Sequence, residues 1–121
     1  MEKPNQIFVF GSNLAGRHGR GAAKFARDTY GAIYGQSIGL QGKSYAIPTK
    51  DNNIKTLPLN LIKLYVNDFI KFAIANPDLQ FIITPIGCGL AGYTHVDIAP
   101  LFSTAPNNCI LPEEFKIVLN T

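Results

Sequence analysis

Short dense apolar runs separated by glycine-rich gaps divide this chain into a sequence of expected elements. Gln6–Phe10 (QIFVF) is apolar and is closed by Gly11-Ser12-Asn13, which predicts a buried strand. Four glycines, Gly11, Gly16, Gly19 and Gly21, then fall within eleven residues. A helix is expected from about Gly21, with Ala22, Ala23, Phe25 and Ala26 as its apolar positions and Gly31 as its stop. A second glycine-rich stretch, Gly35 to Gly42, leads into Ser44–Pro48 as a strand, and Thr49–Asn53 is polar loop. Pro58 suits the first turn of a helix running to about Ala75. In it Ile62, Val66, Phe69 and Ala73 recur at helical spacing, opposite the polar Asn60, Lys63, Asn67 and Lys71. Asn76-Pro77 ends that helix, Gln80–Thr84 (QFIIT) reads as a strand, and the loop PIGCGLAGY follows. A short helix is expected over Val96 to Phe102, with Pro100 tolerated only in a first turn. Phe115–Leu119 (FKIVL) reads as a last strand.

Strands alternating with helices predict a three-layer α/β/α sandwich around a mixed, mostly parallel sheet. No internal repeat or linker interrupts it, so residues 1–121 form one compact domain. Ligands in such folds sit at the carboxyl ends of the strands. Both glycine-rich loops and Lys50 directly follow predicted strands and are therefore expected on one rim.

Composition narrows the function classes. With 46% hydrophobic and 16% charged residues the chain can bury a core. The net charge of +3 is mild and does not call for nucleic acid. All three arginines, Arg17, Arg20 and Arg27, lie in one stretch with His18 and Lys24. A basic patch beside glycines suits a small anion, and Arg17, His18 and Arg20 are expected to line or lid a phosphate site. No apolar run reaches membrane-spanning length, because Pro85, Gly87, Gly89 and Gly92 break the longest candidate. The first residues show no export signal, and Cys88 and Cys109 have neither disulfide-framework nor zinc spacing. A cytoplasmic setting is expected, with no metal, no cofactor and no membrane partner.

Three motifs bear on chemistry. Gly39-Leu40-Gln41-Gly42-Lys43-Ser44 resembles a P-loop but places Ser37 where the first glycine belongs, and it leads into a strand. Gly87-Cys88-Gly89-Leu90-Ala91-Gly92 matches G-x-G-x-x-G after a strand. Too little chain follows it for a Rossmann unit, yet its backbone N–H groups can still cradle a diphosphate. Lys50 ends a predicted strand, where an amine could hold a phosphate or attack a sugar aldehyde. Cys88 reads as a small residue in a tight loop rather than a nucleophile, and His95 and Asp97 are too close in sequence to share a helix face.

These segments together resemble a compact macro domain, the ADP-ribose-binding α/β sandwich, and most closely the branch that removes terminal ADP-ribose from proteins. Ile83-Thr84-Pro85-Ile86-Gly87-Cys88-Gly89-Leu90 is similar to that branch's proline-isoleucine-glycine-cysteine-glycine-leucine loop. Arg20-Gly21-Ala22-Ala23-Lys24-Phe25 is similar to its first glycine-alanine loop, and Ile47-Pro48-Thr49-Lys50 to the segment carrying its lysine. The resemblance implies that Asn13, Gly19, Gly21 and Ala22 hold the distal ribose and that Ile86, Gly87, Cys88, Gly89 and Leu90 wrap the pyrophosphate. Gly11, Ser12, Arg17, Arg20, Thr49 and Pro85 complete the expected ligand site. Lys50 matches the catalytic lysine, but Ala91 stands where the family carries its partner carboxylate, leaving Asp97 and Asp51 as replacements to consider.

Two function classes stay open. One is a module that binds ADP-ribose or a related nucleotide, free or protein-linked, without chemistry. The other is an ADP-ribosyl glycohydrolase using Lys50. An interaction domain without a nucleotide is a third and blander reading, and a short sheet edge leaves room for a homodimer.

Overall fold

The computed structural model describes residues 5–120. Its sheet is built on β1 (Gln6–Asn13), which lies between β3 (Ser44–Lys50) and β4 (Gln80–Ile83), both parallel to it. β5 (Cys109–Ile110) adds a short parallel edge beside β4, and β2 (Gly39–Gln41) an antiparallel edge beside β3, giving the order β2-β3-β1-β4-β5. The expected α/β class with a mixed, mostly parallel sheet is what the chain adopts.

Alternation along β1 explains why both sheet faces need a cover. Ile7 and Val9 enter one core, while Phe8 and Phe10 face the other. The larger core lies under α2 (Leu59–Ala75), α3 (His95–Ile98), the 3₁₀ turn Ala99–Phe102 and α4 (Glu113–Leu119). From α2 it receives Ile62, Val66, Phe69 and Ala73, each fully buried at the helical spacing expected from the sequence. Each large side chain among these contributes about 1.5–3 kcal/mol of burial. On the opposite face α1 (Gly21–Thr29) lays Ala23 and Ala26 against Phe10 and Ala46. Small residues there let the helix approach the sheet closely, which brings its first turn up to the rim.

Three expectations are corrected. β1 runs three residues past Phe10, because Gly11, Ser12 and Asn13 pair with Ile47, Pro48 and Lys50. Glycine does not end a central strand when a neighbour supplies the ladder. β2 was not foreseen, being three residues long and turned into β3 through Gly42. Phe115–Leu119 is helix rather than strand. Pro112 precedes that helix, Glu113 and Glu114 occupy its first turn, and Phe115 is buried while Ile117 is 60% exposed. Acids near a helix start favour the macrodipole, and helical spacing buries Phe115 beside the half-buried Val118. The last strand is instead Cys109–Ile110.

Candidate functional site

The segments leaving β1, β3 and β4 at their carboxyl ends line one cleft of about 850 Å³. All but one of the residues expected at the site from the sequence lie on it: Gly11, Ser12 and Asn13 on β1; Arg17, Gly19 and Arg20 beyond it; Gly21 and Ala22 at the start of α1; Thr49 and Lys50 on β3; and Pro85 to Leu90 after β4, the exception being His18. The order of the parallel strands alone brings these three distant segments together.

The first wall is a loop held by its own backbone. Asn13 Oδ1 accepts from Arg17 N–H and Asn13 Nδ2 donates to the Arg17 carbonyl, each at 2.9 Å. The amide that the family resemblance assigned to a ribose is thus engaged in holding the loop. Gly16 has φ +70°, and a Cβ there would lie 2.5 Å from the Gly35 carbonyl carbon. Glycine lets the two backbones approach, and the Gly35 N–H donated to Gly16 O at 2.7 Å and the Ser12 Oγ bond to Ser37 O at 2.6 Å fasten the 31–38 loop to the site. The fastened loop brings Tyr34 to the cleft, with the Arg27 guanidinium 5.9 Å from its ring centre.

His18 does not line the cleft, contrary to expectation. It is fully buried against Phe10, its Nε2 lying 3.0 Å from Gln36 O and 3.1 Å from Gln41 Oε1. With two acceptors facing it, Nε2 carries the proton. The imidazole is thereby a brace between the two loops, because Gln41 Oε1 also accepts from Ile33 N–H at 2.7 Å.

The second wall is the turn after Lys50. Asp51 Oδ1 accepts from the N–H groups of Asn53 and Lys55 at 2.8 and 3.0 Å, and Asp51 N–H donates to Lys55 O at 2.7 Å. Ile54 within this turn has φ 63°, the only positive φ outside glycine among the described residues. A left-handed β-branched residue costs about 1–2 kcal/mol. Ile54 lines the cleft.

The third wall is the loop 84–93. Thr84 Oγ1 donates to Val9 O at 2.7 Å, fixing the loop's root on β1. Thr56 Oγ1 donates to Ala91 O at 2.8 Å and Tyr93 O–H to Leu57 O at 2.6 Å, so the second and third walls are tied to each other. Burial, with the charges of Asp97 and Glu114 adding, pushes the Cys88 thiol up to about 11. It remains a protonated thiol at neutral pH and a poor nucleophile.

The electrostatics are one-sided. Among the described residues Arg17, Arg20 and Lys50 line the cleft, and no aspartate or glutamate does. Among the described residues the only ion pairs are Lys24–Asp28 and Arg27–Asp28, so these three cations have no carboxylate partner. Neither acid considered as a replacement at Ala91 reaches the cleft. Asp51 closes its own turn, and Asp97 forms a capping box with Thr94, whose N–H holds the Asp97 carboxyl below its ordinary range. The N-cap residue of α1, Arg20, supplies no side-chain cap, leaving the first-turn N–H groups at Gly21 and Ala22 to an external acceptor. Among the described residues no three His, Cys, Asp or Glu side chains gather to hold a metal, and no helix is long and apolar enough to cross a membrane.

Beyond the expected residues the cleft is also lined by Ala23, Tyr34, Ile54, Thr84, Ala91 and His95. The only signal for Ile54 is a large apolar side chain in a turn otherwise made of polar residues; Tyr34 sits among other apolar residues, Ala32, Ile33 and Ile38, and nothing local singles it out.

No family model, curated protein or solved structure matches the chain. The fold and cleft define it as an α/β protein with a cationic cleft at the carboxyl rim of its sheet, lined by no carboxylate of the described residues.

Proposed function

We propose that the cleft binds a phosphate-bearing nucleotide of the ADP-ribose kind, free or attached to a protein, and holds it without chemistry. One observation carries this reading: among the described residues, three unpaired cations and two glycine-rich loops share a cleft that no carboxylate enters. A cleft of about 850 Å³ falls within the range for a ligand of nucleotide size. Glycines permit close approach of a diphosphate to backbone N–H groups, while unneutralised cations favour its charge. Two free thiols fit a reducing compartment, the cytoplasm by preference.

A second reading keeps Lys50 as the nucleophile of an ADP-ribosyl glycohydrolase, and its amine in the cleft without an ion-pair partner favours that. Against it, no carboxylate among the described residues lines the cleft to open the ribose or move its proton.

Titration calorimetry with ADP-ribose, and with AMP, NAD and cyclic ADP-ribose as comparators, tests the binding. The expected result is micromolar or tighter affinity for at least one diphosphate ligand. Incubation with ADP-ribosylated protein separates the two readings. Release by the wild type that is lost in Lys50→Ala would establish the enzyme, whereas no release by either form leaves the binding module. Absence of heat with every nucleotide would remove both.

A further inference from the structure

We propose that Ile54 is a specificity-determining residue of the cleft, its side chain held against the preference of its own backbone so as to contact the uncharged ring portion of the bound nucleotide. This rests on the reading of the cleft as a nucleotide site.

The turn that carries Ile54 closes without its side chain. Asp51 N–H donates to Lys55 O, Ile54 N–H donates to Asp51 O, and Asp51 Oδ1 accepts from Asn53 and Lys55. All of these bonds use backbone atoms or Asp51. Glycine at position 54 would fit φ 63° without strain, and asparagine, which tolerates that region, stands at both 52 and 53. The turn therefore gains nothing from isoleucine.

Ile54 also stands outside the hydrophobic core, in neither buried cluster, and is 37% exposed. What the residue adds is a branched apolar surface on the cleft, four positions beyond Lys50. Strain retained at a cavity wall, without a local benefit and outside the core, points to a contact made by the side chain.

The rest of the cleft shows what that contact would be. Arg17, Arg20 and Lys50 provide for the charge of a ligand, and a nucleotide also has rings that need an apolar surface. Ile54 supplies one, facing the same space as the exposed Tyr34 and Leu90. Two bonds, Thr56 to Ala91 O and Tyr93 to Leu57 O, fix the chain just beyond Ile54 onto the facing loop. The surface is thus set before a ligand arrives, which lowers the entropy lost on binding.

The test uses Ile54→Gly and Ile54→Ala in the full chain, titrated with ADP-ribose and with inorganic pyrophosphate, which has the charge without the rings. Ile54→Gly is expected to melt at a higher temperature than the wild type, to bind ADP-ribose about tenfold more weakly, and to bind pyrophosphate unchanged. Ile54→Ala keeps the backbone strain and is expected to show the same loss of ADP-ribose affinity without the gain in melting temperature. Wild-type affinity for ADP-ribose in both variants would overturn the proposal, since the side chain would then be idle. Equal losses for ADP-ribose and pyrophosphate would also overturn it, because the turn would be acting through Lys50. A wild type that binds neither probe would instead sink the nucleotide reading of the cleft, and the role of Ile54 with it.

Discussion

The side chain of Asn13 holds both polar groups of the Arg17 backbone, accepting from its N–H and donating to its carbonyl at 2.9 Å each. A buried residue at the end of the central strand thus fixes the root of an exposed cation on the cleft. The loop between β1 and α1 is shaped from within, so its arginine is placed without a carboxylate to hold it.

Asn13→Ala removes both bonds and is expected to cost about 1–3 kcal/mol in urea unfolding. Asn13→Asp keeps the acceptor, loses the donor and adds negative charge beside Arg17. Affinity for ADP-ribose should therefore fall further in Asn13→Asp than in Asn13→Ala. The reverse order by calorimetry would mean that Asn13 acts on the ligand directly rather than through the loop.

Arg17 and Arg20 are exposed and unpaired among the described residues, so replacing both with glutamine should leave the melting temperature nearly unchanged. Affinity for ADP-ribose should drop by about tenfold or more at low salt and by less at high salt, as screening predicts. Adenosine should bind equally well to both forms. A matching loss for adenosine would place the two arginines away from the phosphates.

Gly87 and Gly89 share one loop but differ in what a side chain would meet. Gly87 has φ +73°, and a Cβ there lies 3.0 Å from Ile98 Cδ1, whereas a Cβ on Gly89 meets nothing within 4 Å. Gly87→Ala should cost about 1–3 kcal/mol by thermal unfolding. Gly89→Val should stay within about 0.5 kcal/mol of the wild type, yet weaken nucleotide binding by narrowing the cleft. Full binding by Gly89→Val would show that the ligand does not lie against this loop.

Burial raises the Cys88 thiol from 9.0 to about 11, with Asp97 and Glu114 adding, and raises the Cys109 thiol likewise to about 11. The fold holds the neutral form, so the stability each thiol contributes is complete below pH 9 and is lost as pH rises through 11. At pH 8 only about one thiol in a thousand is ionised. Iodoacetamide labelling of the folded protein, followed by mass spectrometry, should therefore be slow at pH 8 and rise about tenfold per pH unit toward 11. Rapid labelling of Cys88 at pH 7 would show an activated thiol and reopen its role as a nucleophile.

Elements whose signal is local can be read directly from the order of residues. β1, β3, β4 and α2 were legible because Ile7, Val9, Ile47, Phe81 and Ile83 occur in apolar runs and because Ile62, Val66, Phe69 and Ala73 repeat at helical spacing. Strand ends followed by glycine-rich loops then placed Arg17, Lys50 and Pro85 to Leu90 on one rim, since parallel strands share a direction. Phe115–Leu119 was not decidable locally, because five mostly apolar residues fit either period. Packing of Phe115 against Phe102 settled it as helix. The burial of His18, the seat of Tyr34 and the left-handed Ile54 likewise depend on partners that only the fold supplies. Gln36 and Gln41 brace His18, Gly16 admits Gly35, and Asp51 closes a turn that sets the backbone of Ile54. Periodicity records which face of an element is buried, but which loop a side chain meets is decided when the assembled chain satisfies its backbone hydrogen bonds.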